Sequence, residues 1–349
     1  MRYKLLGKSG LRVSELCLGT MTFGEDWGWG ASWKESCKLF EAFAQAGGNF
    51  IDTANIYTNG TSEKYVGEFI ASERERFVLA TKYTSNMRQG DPNASGNHRK
   101  NMMQALDASL KRLKTDYIDL YWIHAWDFMT PVEEVMRALD DLVRAGKVLY
   151  VGISDTPAWI VAQANTLAAL QGWTPFIGLQ VEYSLAQREP ERELLPMAHA
   201  FGMATLAWSP LAGGILTGKY NQNDQPGDSS EPRRLESFDA GQQLNDKSLQ
   251  IAQAVSKIAG EVEHTPAQVA LNWVRQQQGV VIPIIGARKI SHIQDNLGCL
   301  DFKLTQEQLE KLNALSQIKL GFPYDFLAGE QVRDIVYGGT FDLIDSRHR

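Results

Sequence analysis

Short apolar runs recur along the chain, each followed by a longer segment with the spacing of an amphipathic helix. The runs do not alternate strictly between apolar and polar residues, which is typical of parallel strands buried on both faces. We delimit eight of them: LCLGT (16–20), NFIDTA (49–54), FVLATK (77–82), IDLYWIH (118–124), LYVGIS (149–154), IGLQVEY (177–183), ATLAWS (204–209) and VVIPIIG (280–286). The clearest helical segments between them are 33–46, 100–113, 131–145 and 158–170.

Strand followed by helix, repeated eight times, predicts an α/β fold of the closed (β/α)8 TIM-barrel type. Residues typical of helix ends support the four helical segments, since Pro131 and Pro157 stand at helix starts and Gly146 follows a helix end. The main alternative is an open, doubly wound sheet, which a G-x-G-x-x-G turn after the first strand would favour. No such turn follows any of the eight runs, so the pattern favours the barrel.

Several segments stand outside the repeat. Residues 1–15 predict a hairpin around Lys8-Ser9-Gly10 that caps the floor of the barrel. Segments 84–98 and 220–245 are polar and rich in Gly and Pro, which predicts long loops at the C-terminal face, where barrel active sites are built. Residues 305–318 predict an extra helix with a Thr305–Gln308 capping box, and 319–349 form a C-terminal tail.

Composition narrows the class of protein. The 349 residues suit one barrel domain spanning 1–349, and 44% hydrophobic residues supply a large core. A net charge of -6 argues against a nucleic-acid partner. Three cysteines without paired spacing favour neither disulfides nor a metal site, and no apolar run is long enough for a membrane span. We therefore expect a soluble cytoplasmic protein, and nothing in the sequence indicates an oligomer.

Polar residues occupy the C-terminal ends of successive predicted strands. Asp52 ends the second strand, with Tyr57 in the loop after it, Lys82 ends the third and His124 the fourth. Each has a structural interpretation, such as a helix cap for Asp52 or a core histidine for His124. A lysine that ends an apolar strand must instead reach solvent or meet an anion, and Asp52 is the obvious partner. Because these strand ends converge on one axis, we favour a functional site.

The chemistry that such a set can perform is carbonyl reduction. A tyrosine has an unperturbed pKa of about 10 and is a weak acid at neutral pH. A neighbouring lysine cation favours the phenolate, and an aspartate keeps that lysine charged. A histidine beside the tyrosine can orient a carbonyl oxygen. Hydride must come from a cofactor, because side chains cannot supply it.

Motifs over nearly the whole chain resemble those of the aldo-keto reductase superfamily. They include GLRVSELCLGTMTFG, NFIDTANIY, LATK, YIDLYWIH, KVLYVGIS, LQVEYSL, LAWSPLAGGILTGKY and GAR followed by DNLG, in the family's order. The segment around WSPLAGG resembles the branch of bacterial reductases and potassium-channel β-subunits. The resemblance implies that Tyr57 is the general acid, that Lys82 and Asp52 tune it, and that His124 orients the carbonyl.

The resemblance also implies an NADP(H) site. Ser154, Asp155 and Gln180 would hold the nicotinamide carboxamide, and Trp208 would stack on the ring. Ser209, Pro210, Leu211, Gly213, Leu216 and Lys219 would line the pyrophosphate, while Gly19, Thr20, Met21 and Asp52 approach the cofactor from the first two strands. Gly286, Arg288, His292, Asp295 and Asn296 would form the adenine end.

Arg288 is placed to pair with a 2′-phosphate, which favours NADPH over NADH, and Lys289 could share that role. Two residues depart from the family pattern. Asp155 stands where Asn is usual and can only accept hydrogen bonds when ionised. His292 stands where some relatives carry Arg or Gln. The resemblance therefore implies the nucleotide preference less firmly than it implies the roles of the catalytic four, Asp52, Tyr57, Lys82 and His124.

Aromatic residues near the C-terminal face predict a pocket for an apolar or aromatic carbonyl compound. They are Trp27, Trp29, Tyr83, Trp126 and Phe128. The leading hypothesis is an NADPH-dependent reductase of aldehydes or ketones. The alternative is a cofactor-sensing partner subunit with slow turnover, as in the channel-associated relatives, and the residues do not distinguish carbonyl reduction from alcohol oxidation.

Overall fold

The N-terminal hairpin forms as the sequence predicts. In the computed structural model, which describes residues 1–220 and 244–345, strand β1 (Tyr3–Leu5) pairs antiparallel with β2 (Arg12–Ser14). The Ser9 hydroxyl fixes the turn by donating to the Leu6 carbonyl oxygen at 2.7 Å. Leu6 and Val13 are fully buried and join the apolar cluster inside the barrel, so the hairpin caps the barrel's floor.

A closed barrel of eight parallel strands follows in the described residues. Its strands are β3 (Cys17–Gly19), β4 (Phe50–Asp52), β5 (Val78–Tyr83), β6 (Ile118–Ile123), β7 (Val148–Ser154), β8 (Phe176–Glu182), β9 (Ala204–Trp208) and β10 (Val281–Ile285). Each strand pairs with its neighbour in sequence, and β10 pairs with β3 to close the ring. The (β/α)8 TIM barrel predicted from the sequence is confirmed.

Helices lie between the strands. Among the described residues they are α1 (Trp33–Gln45), α2 (Thr61–Ile70), α3 (Arg99–Leu113), α4 (Val132–Arg144), α5 (Ala158–Gln171), α6 (Leu194–Phe201), α7 (Asp246–Glu261), α8 (Pro266–Arg275), α9 (Ile290–Leu297) and α10 (Gln306–Ser316). The predicted strand and helix boundaries agree with these to within a few residues. The Thr305–Gln308 capping box of α10 is present in both directions, at 3.3 and 3.0 Å.

Two long loops, 84–98 and 220–245, are predicted at the C-terminal face. The segment 84–98 joins β5 to α3 without regular secondary structure, as expected. Most of the predicted loop 220–245 lies outside the described residues.

The chain divides into two compact units, residues 1–316 and 317–349. Within its described residues the second unit contains two short helices, α11 (Tyr324–Leu327) and α12 (Glu330–Tyr337), and a single 3-10 turn, Phe341–Leu343. Here the Arg333 guanidinium lies 3.7 Å from the centre of the Phe341 ring. No helix of the described ranges is both long enough and apolar enough to cross a membrane.

Side chains on each barrel strand alternate between the interior and the surrounding helices. In β5, Val78 and Ala80 belong to the interior cluster, whereas Leu79 and Tyr83 belong to the cluster between the barrel and its helices. Lys82 continues the inward series at the C-terminal end of the strand. The alternation therefore directs the lysine along the barrel axis.

Trp122 fills much of the interior. It pairs in register with Gly152 of β7, which pairs with Gly178 of β8. A Cβ atom on either glycine would collide with the Trp122 indole. Two neighbouring strands thus lack side chains where the large ring packs.

We expect Gly152→Ala to lower the free energy of unfolding by about 1–3 kcal/mol, because the added methyl group overpacks this layer. Urea unfolding followed by circular dichroism would measure the loss. Gly10→Ala is the matched control, since its Cβ would meet no atom within 4 Å. Equal effects of the two substitutions would contradict the packing argument.

Candidate active site

Lys82 is the centre of a buried polar group at the C-terminal ends of β4 and β5. Its side chain is 0% exposed, and Asp52 at the end of β4 is also buried. The Lys82 ammonium donates to Asp52 Oδ2, to the Thr53 carbonyl oxygen at 2.9 Å and to Tyr57 Oη at 3.0 Å. All three donors of the ammonium are therefore used.

Electrostatics keep this lysine charged despite its burial. Burial alone would lower the pKa of Lys82, but the charges of Asp52 and Tyr57 and their hydrogen bonds outweigh it and raise the pKa above its usual value. The second Asp52 oxygen accepts from Gln180 Nε2 at 3.0 Å, which fixes the carboxylate from across the barrel. Gln180, predicted as a carboxamide contact, here holds Asp52.

Tyr57 is positioned by a strained turn after β4. The 3-10 turn Tyr57–Gly60 contains Thr58 and Asn59 with left-handed φ values of 44° and 54°. Such conformations are unfavourable for a β-branched residue and need support from their surroundings. Support comes from the buried Thr58 hydroxyl, which donates to the Phe23 carbonyl oxygen at 2.6 Å.

His124 follows β6 and faces the same tyrosine. Its ring meets the Tyr57 ring edge-on, with centroids 5.8 Å apart at 80°. Burial, with a smaller contribution from Lys82, lowers the pKa of His124 to about 3. The imidazole is therefore neutral at physiological pH. The structure thus brings together all four residues that the sequence singled out at the strand ends.

The neighbouring strand ends carry a second polar pair. Trp208 Nε1 at the end of β9 donates to Asp155 Oδ1 at 3.1 Å, and Asp155 has a left-handed φ of 41°. Asp155 is exposed at the surface, yet partial desolvation by the residues around its carboxyl raises its pKa to about 6. The Ser154 hydroxyl beside it is buried and close enough to Asp155 to lower that carboxyl's pKa slightly, although its oxygen meets no partner at hydrogen-bond geometry within the described parts of the chain.

The segment after β9 has the backbone of an anion site. Ser209, Ala212, Gly213 and Gly214 have positive φ values between 49° and 94°. Runs that mix right-handed and left-handed residues turn successive N–H groups into a concavity that suits anions. The Lys219 ammonium lies close to Gly214, since a Cβ there would approach Nζ to 2.8 Å.

The apolar residues predicted for the same segment differ in how deeply their side chains are buried. Pro210 and Leu216 are buried, and Leu216 belongs to the cluster between barrel and helices, so its side chain supports the turn from behind. Leu211 is half-buried against that cluster.

Residues of the predicted adenine end surround β10 and α9. Gly286 follows β10 and approaches the Gly19 carbonyl oxygen, while Arg288 is partly exposed and His292 exposed. Asn296 is buried. Asp295 Oδ1 accepts from Thr265 Oγ1 and Gln268 Nε2, each at 3.0 Å, so this carboxylate joins α9 to the start of α8.

Strand β3 contributes Gly19 and the residues that follow it. The fully buried Thr20 hydroxyl lies 3.1 Å from the Asp52 carbonyl oxygen and 2.8 Å from Ser62 Oγ. Thr20 therefore holds β3 to β4 rather than pointing into the barrel mouth. Met21 is half-buried at the start of the next loop.

The aromatic residues predicted to line a pocket do not all lie together. Trp27 and Trp29 contact each other with ring centroids 5.6 Å apart, Trp126 is half-buried and Phe128 is exposed. Tyr83 must be removed from the pocket. It points outward from β5, is fully buried against Tyr121 at 5.2 Å and donates to the Asn97 carbonyl oxygen. Successive side chains on a strand point to opposite faces, so Tyr83, which directly follows the inward-facing Lys82, points away from the barrel interior.

The sequence reasoning missed Asn97, a fully buried residue that joins the loops after β5 and β6. Its Nδ2 donates to Thr84 Oγ1 at 3.0 Å and to the Ala125 carbonyl oxygen at 2.9 Å. Asn97 and Asp127 also exchange hydrogen bonds through their backbone N–H groups, both at 2.7 Å. No local motif marks this pair in a polar loop.

Ser85 is a second residue that the sequence reasoning missed. Its Oγ lies 3.4 Å from His124 Nδ1, so it can influence which ring nitrogen carries the proton. It follows Thr84, whose φ of 101° is unusual for a β-branched residue and whose hydroxyl accepts from the His124 N–H. The loop after β5 thus contacts both the backbone and the ring of His124.

Comparison with known proteins agrees with this geometry. The family model of the aldo/keto reductase family matches residues 15–317. The chain is 40% identical over 339 residues to an NADP(+) aryl-alcohol dehydrogenase of Phanerodontia chrysosporium, covering 90% of this chain and 86% of that one. It is 39% identical over 335 residues to a norsolorinic acid reductase of Aspergillus flavus, covering 93% and 83%.

The barrel carries charged and hydrogen-bonding side chains at its C-terminal strand ends, and the family model matches most of its length. Together these observations identify the family. The chain belongs to the aldo/keto reductase family.

Proposed function

We propose that this oxidoreductase reduces aldehydes or ketones with NADPH and that Tyr57 donates the proton to the carbonyl oxygen. The observation that carries the proposal is the Lys82 ammonium, placed between Asp52 and Tyr57 Oη with no exposure to solvent. Lys82 donates to Oη, so the Tyr57 oxygen acts as acceptor toward the lysine and as donor toward a substrate oxygen. The positive charge also favours the phenolate that forms when the proton leaves.

The residues at the mouth of the barrel fit a nicotinamide cofactor. The buried Ser154 hydroxyl lacks a partner among the described residues, as expected of a group that binds a ligand amide. Gln180 and Asp155 flank it, and Trp208, held by Asp155, offers an aromatic face. The left-handed run 212–214 with Lys219 suits the pyrophosphate. When bound, the nicotinamide supplies hydride to the carbonyl carbon.

His124 orients the substrate rather than acting as a cation. With a pKa of about 3 it is neutral, so one ring nitrogen accepts and the other donates. A Ser85 hydroxyl that donates to Nδ1 places the proton on Nε2, which can then donate to the carbonyl oxygen together with Tyr57. Two donors on one oxygen polarise the carbonyl and fix the side from which it is attacked.

The cofactor preference and substrate class follow from the relatives and from Arg288. The relative from P. chrysosporium is named for NADP(+), and a guanidinium at the start of α9 suits a 2′-phosphate. Relatives named for aryl alcohols, together with Trp27, Trp29 and Trp126, favour an aromatic carbonyl substrate. All three cysteines are free, which is consistent with our proposal of a reducing cytoplasmic compartment.

Tyr57→Phe tests the proton donor. Removing a general acid costs about 100- to 10,000-fold in rate, so we expect kcat for benzaldehyde reduction to fall within that range. NADPH binding, measured by fluorescence titration, should persist. Tyr65→Phe on α2 is the control. A variant that retained most of the activity would refute the assignment, and tight NADPH binding without turnover in the wild type would favour a cofactor-sensing role.

Arg288→Ala tests the nucleotide preference. A charge-assisted hydrogen bond contributes about 1.5–3 kcal/mol, so we expect the Kd for NADPH to rise about 10- to 100-fold. NADH lacks the 2′-phosphate, and its Kd in the same titration is the internal control. Equal weakening for both nucleotides would argue against a phosphate contact.

The low pKa of His124 predicts a pH dependence of stability. The unfolded histidine has a pKa of about 6.5 and the folded one of about 3, so between these values the unfolded state binds more protons. Stability should therefore rise with pH across this window, at up to about 1.4 kcal/mol per pH unit. Urea unfolding of wild type and His124→Gln from pH 4 to 7 would measure it: the free energy of unfolding of the wild type minus that of the variant should rise with pH across this window.

Asp155→Asn provides the matched control for this titration. Because the folded pKa of Asp155 lies above its unfolded value, this carboxyl contributes stability below that value, and the contribution is lost as pH rises through about 6. The two substitutions should thus change the pH dependence in opposite directions. Parallel dependence of unfolding free energy on pH for His124→Gln and wild type would contradict the neutral histidine.

A further inference from the structure

An open groove lies on the rim of the barrel's C-terminal face, between the loop after β6 and the first turn of α5. Its volume is about 330 Å³. The walls include Trp126, Phe128 and Met129 from the loop and Trp159 from the helix, and Glu133 of α4 contributes a carboxylate. Asp52, Tyr57, Lys82 and His124 do not line it, whereas Trp126 and Phe128 belong to the aromatic residues predicted for the substrate pocket.

The groove keeps large apolar side chains in contact with water. Phe128 is 69% exposed, Met129 90% and Trp159 66%. Single exposed apolar residues are common on protein surfaces, but a contiguous aromatic group around a concavity is typical of a binding site. The volume falls at the lower end of the range for small-molecule pockets, whereas a stable protein interface needs about 800 Å² on each partner.

The loop that forms one wall is held in place. Phe128 has a left-handed φ of 57°, which is unfavourable for a bulky residue. The Asp127 carboxylate fixes this conformation by accepting from Met129 N and Thr130 N, both at 2.9 Å, and from Thr130 Oγ1 at 2.7 Å. Its tie to Asn97 anchors the loop further, so the wall is preformed rather than assembled on binding.

The titration of Asp127 agrees with this role. Burial alone would raise its pKa, but hydrogen bonds from the N–H groups of Asn97, Thr130 and Met129 outweigh burial and lower the pKa below its usual value. The carboxylate therefore stays ionised and keeps its acceptor role at neutral pH.

Both walls continue from segments of the active site. Trp126 lies two residues after His124, and Trp159 lies four residues after Asp155. Two residues span at most about 7 Å, so the groove begins within the reach of a second ring attached to an aromatic aldehyde. A substrate with a single ring, bound at Tyr57 and His124, would not fill the groove, which would remain occupied by solvent.

We propose that the groove binds the second ring of an extended aromatic carbonyl substrate whose carbonyl lies between Tyr57 and His124. This inference rests on the proposed carbonyl reduction and names its substrate class: neutral aldehydes or ketones with two or more rings. The Glu133 carboxylate accepts hydrogen bonds from a hydroxyl on that ring and disfavours an anionic substituent. Trp159 and Met129 are then residues that determine specificity.

Trp159→Ala tests the proposal through discrimination between biphenyl-4-carboxaldehyde and benzaldehyde. We expect the ratio of their kcat/KM values to fall about five- to tenfold, because the second ring loses its aromatic neighbour, with the change mainly in KM. Leu170→Ala is the matched control. This residue is also a highly exposed apolar residue of α5 but lies roughly 16 Å along the helix from Trp159.

The outcomes separate this inference from the proposed function. An unchanged ratio in Trp159→Ala would overturn the groove assignment while benzaldehyde reduction dependent on Tyr57 stands. If neither aldehyde is reduced, the proposed function fails, and calorimetric binding of biphenyl-4-carboxaldehyde to the NADPH-loaded protein decides: weaker binding in Trp159→Ala supports the groove. Loss of an oligomer in sedimentation, with an unchanged ratio, would show that the groove contacts a second copy instead.

Discussion

The buried ion pair of Lys82 and Asp52 is the constraint on which the rest of the site depends. Removing two charges from water costs several kcal/mol for each ion and is recovered only with good geometry and additional hydrogen bonds. The structure provides them: the Thr53 carbonyl and Tyr57 Oη complete the lysine's acceptors, and Gln180 holds the second carboxylate oxygen. Loss of any of these partners would leave a hydrogen-bonding group of the buried ion pair unsatisfied at the end of an apolar barrel.

The four polar residues at the strand ends are held in place in two different ways. Lys82 and Asp52 lie on paired strands whose register is set by the barrel. Tyr57 and His124 lie at loop positions and need supports of their own: the Thr58 hydroxyl for one, and Thr84 with Ser85 for the other. Strained backbone at Thr58 and Thr84 is retained because the surrounding hydrogen bonds fix it.

Much of this could be predicted from the sequence because strand periodicity and barrel symmetry are encoded locally. The eight apolar runs, the helix caps and the convergence of Asp52, Lys82 and His124 follow from spacing alone. Tyr83 shows where local reasoning fails: nearness in sequence suggested the pocket, but the period of two along a strand turns it outward against Tyr121. Asn97 and Asp127 escaped notice because their hydrogen bonds join two loops 30 residues apart.

The predicted adenine end and the aromatic residues were harder to place from the sequence than Asp52, Tyr57, Lys82 and His124. A carboxylate in a helix can bind a ligand or a neighbouring helix, and only the contacts decide: Asp295 is engaged by Thr265 and Gln268. Asp155 shows the same ambiguity, since it holds Trp208 while lying beside the buried Ser154 hydroxyl. The loop that carries Asp155 continues directly into the groove wall at Trp159. The short segment 154–159 therefore joins the hydrogen bond that holds Trp208 to one wall of the groove, so a change in either is transmitted along the same stretch of backbone.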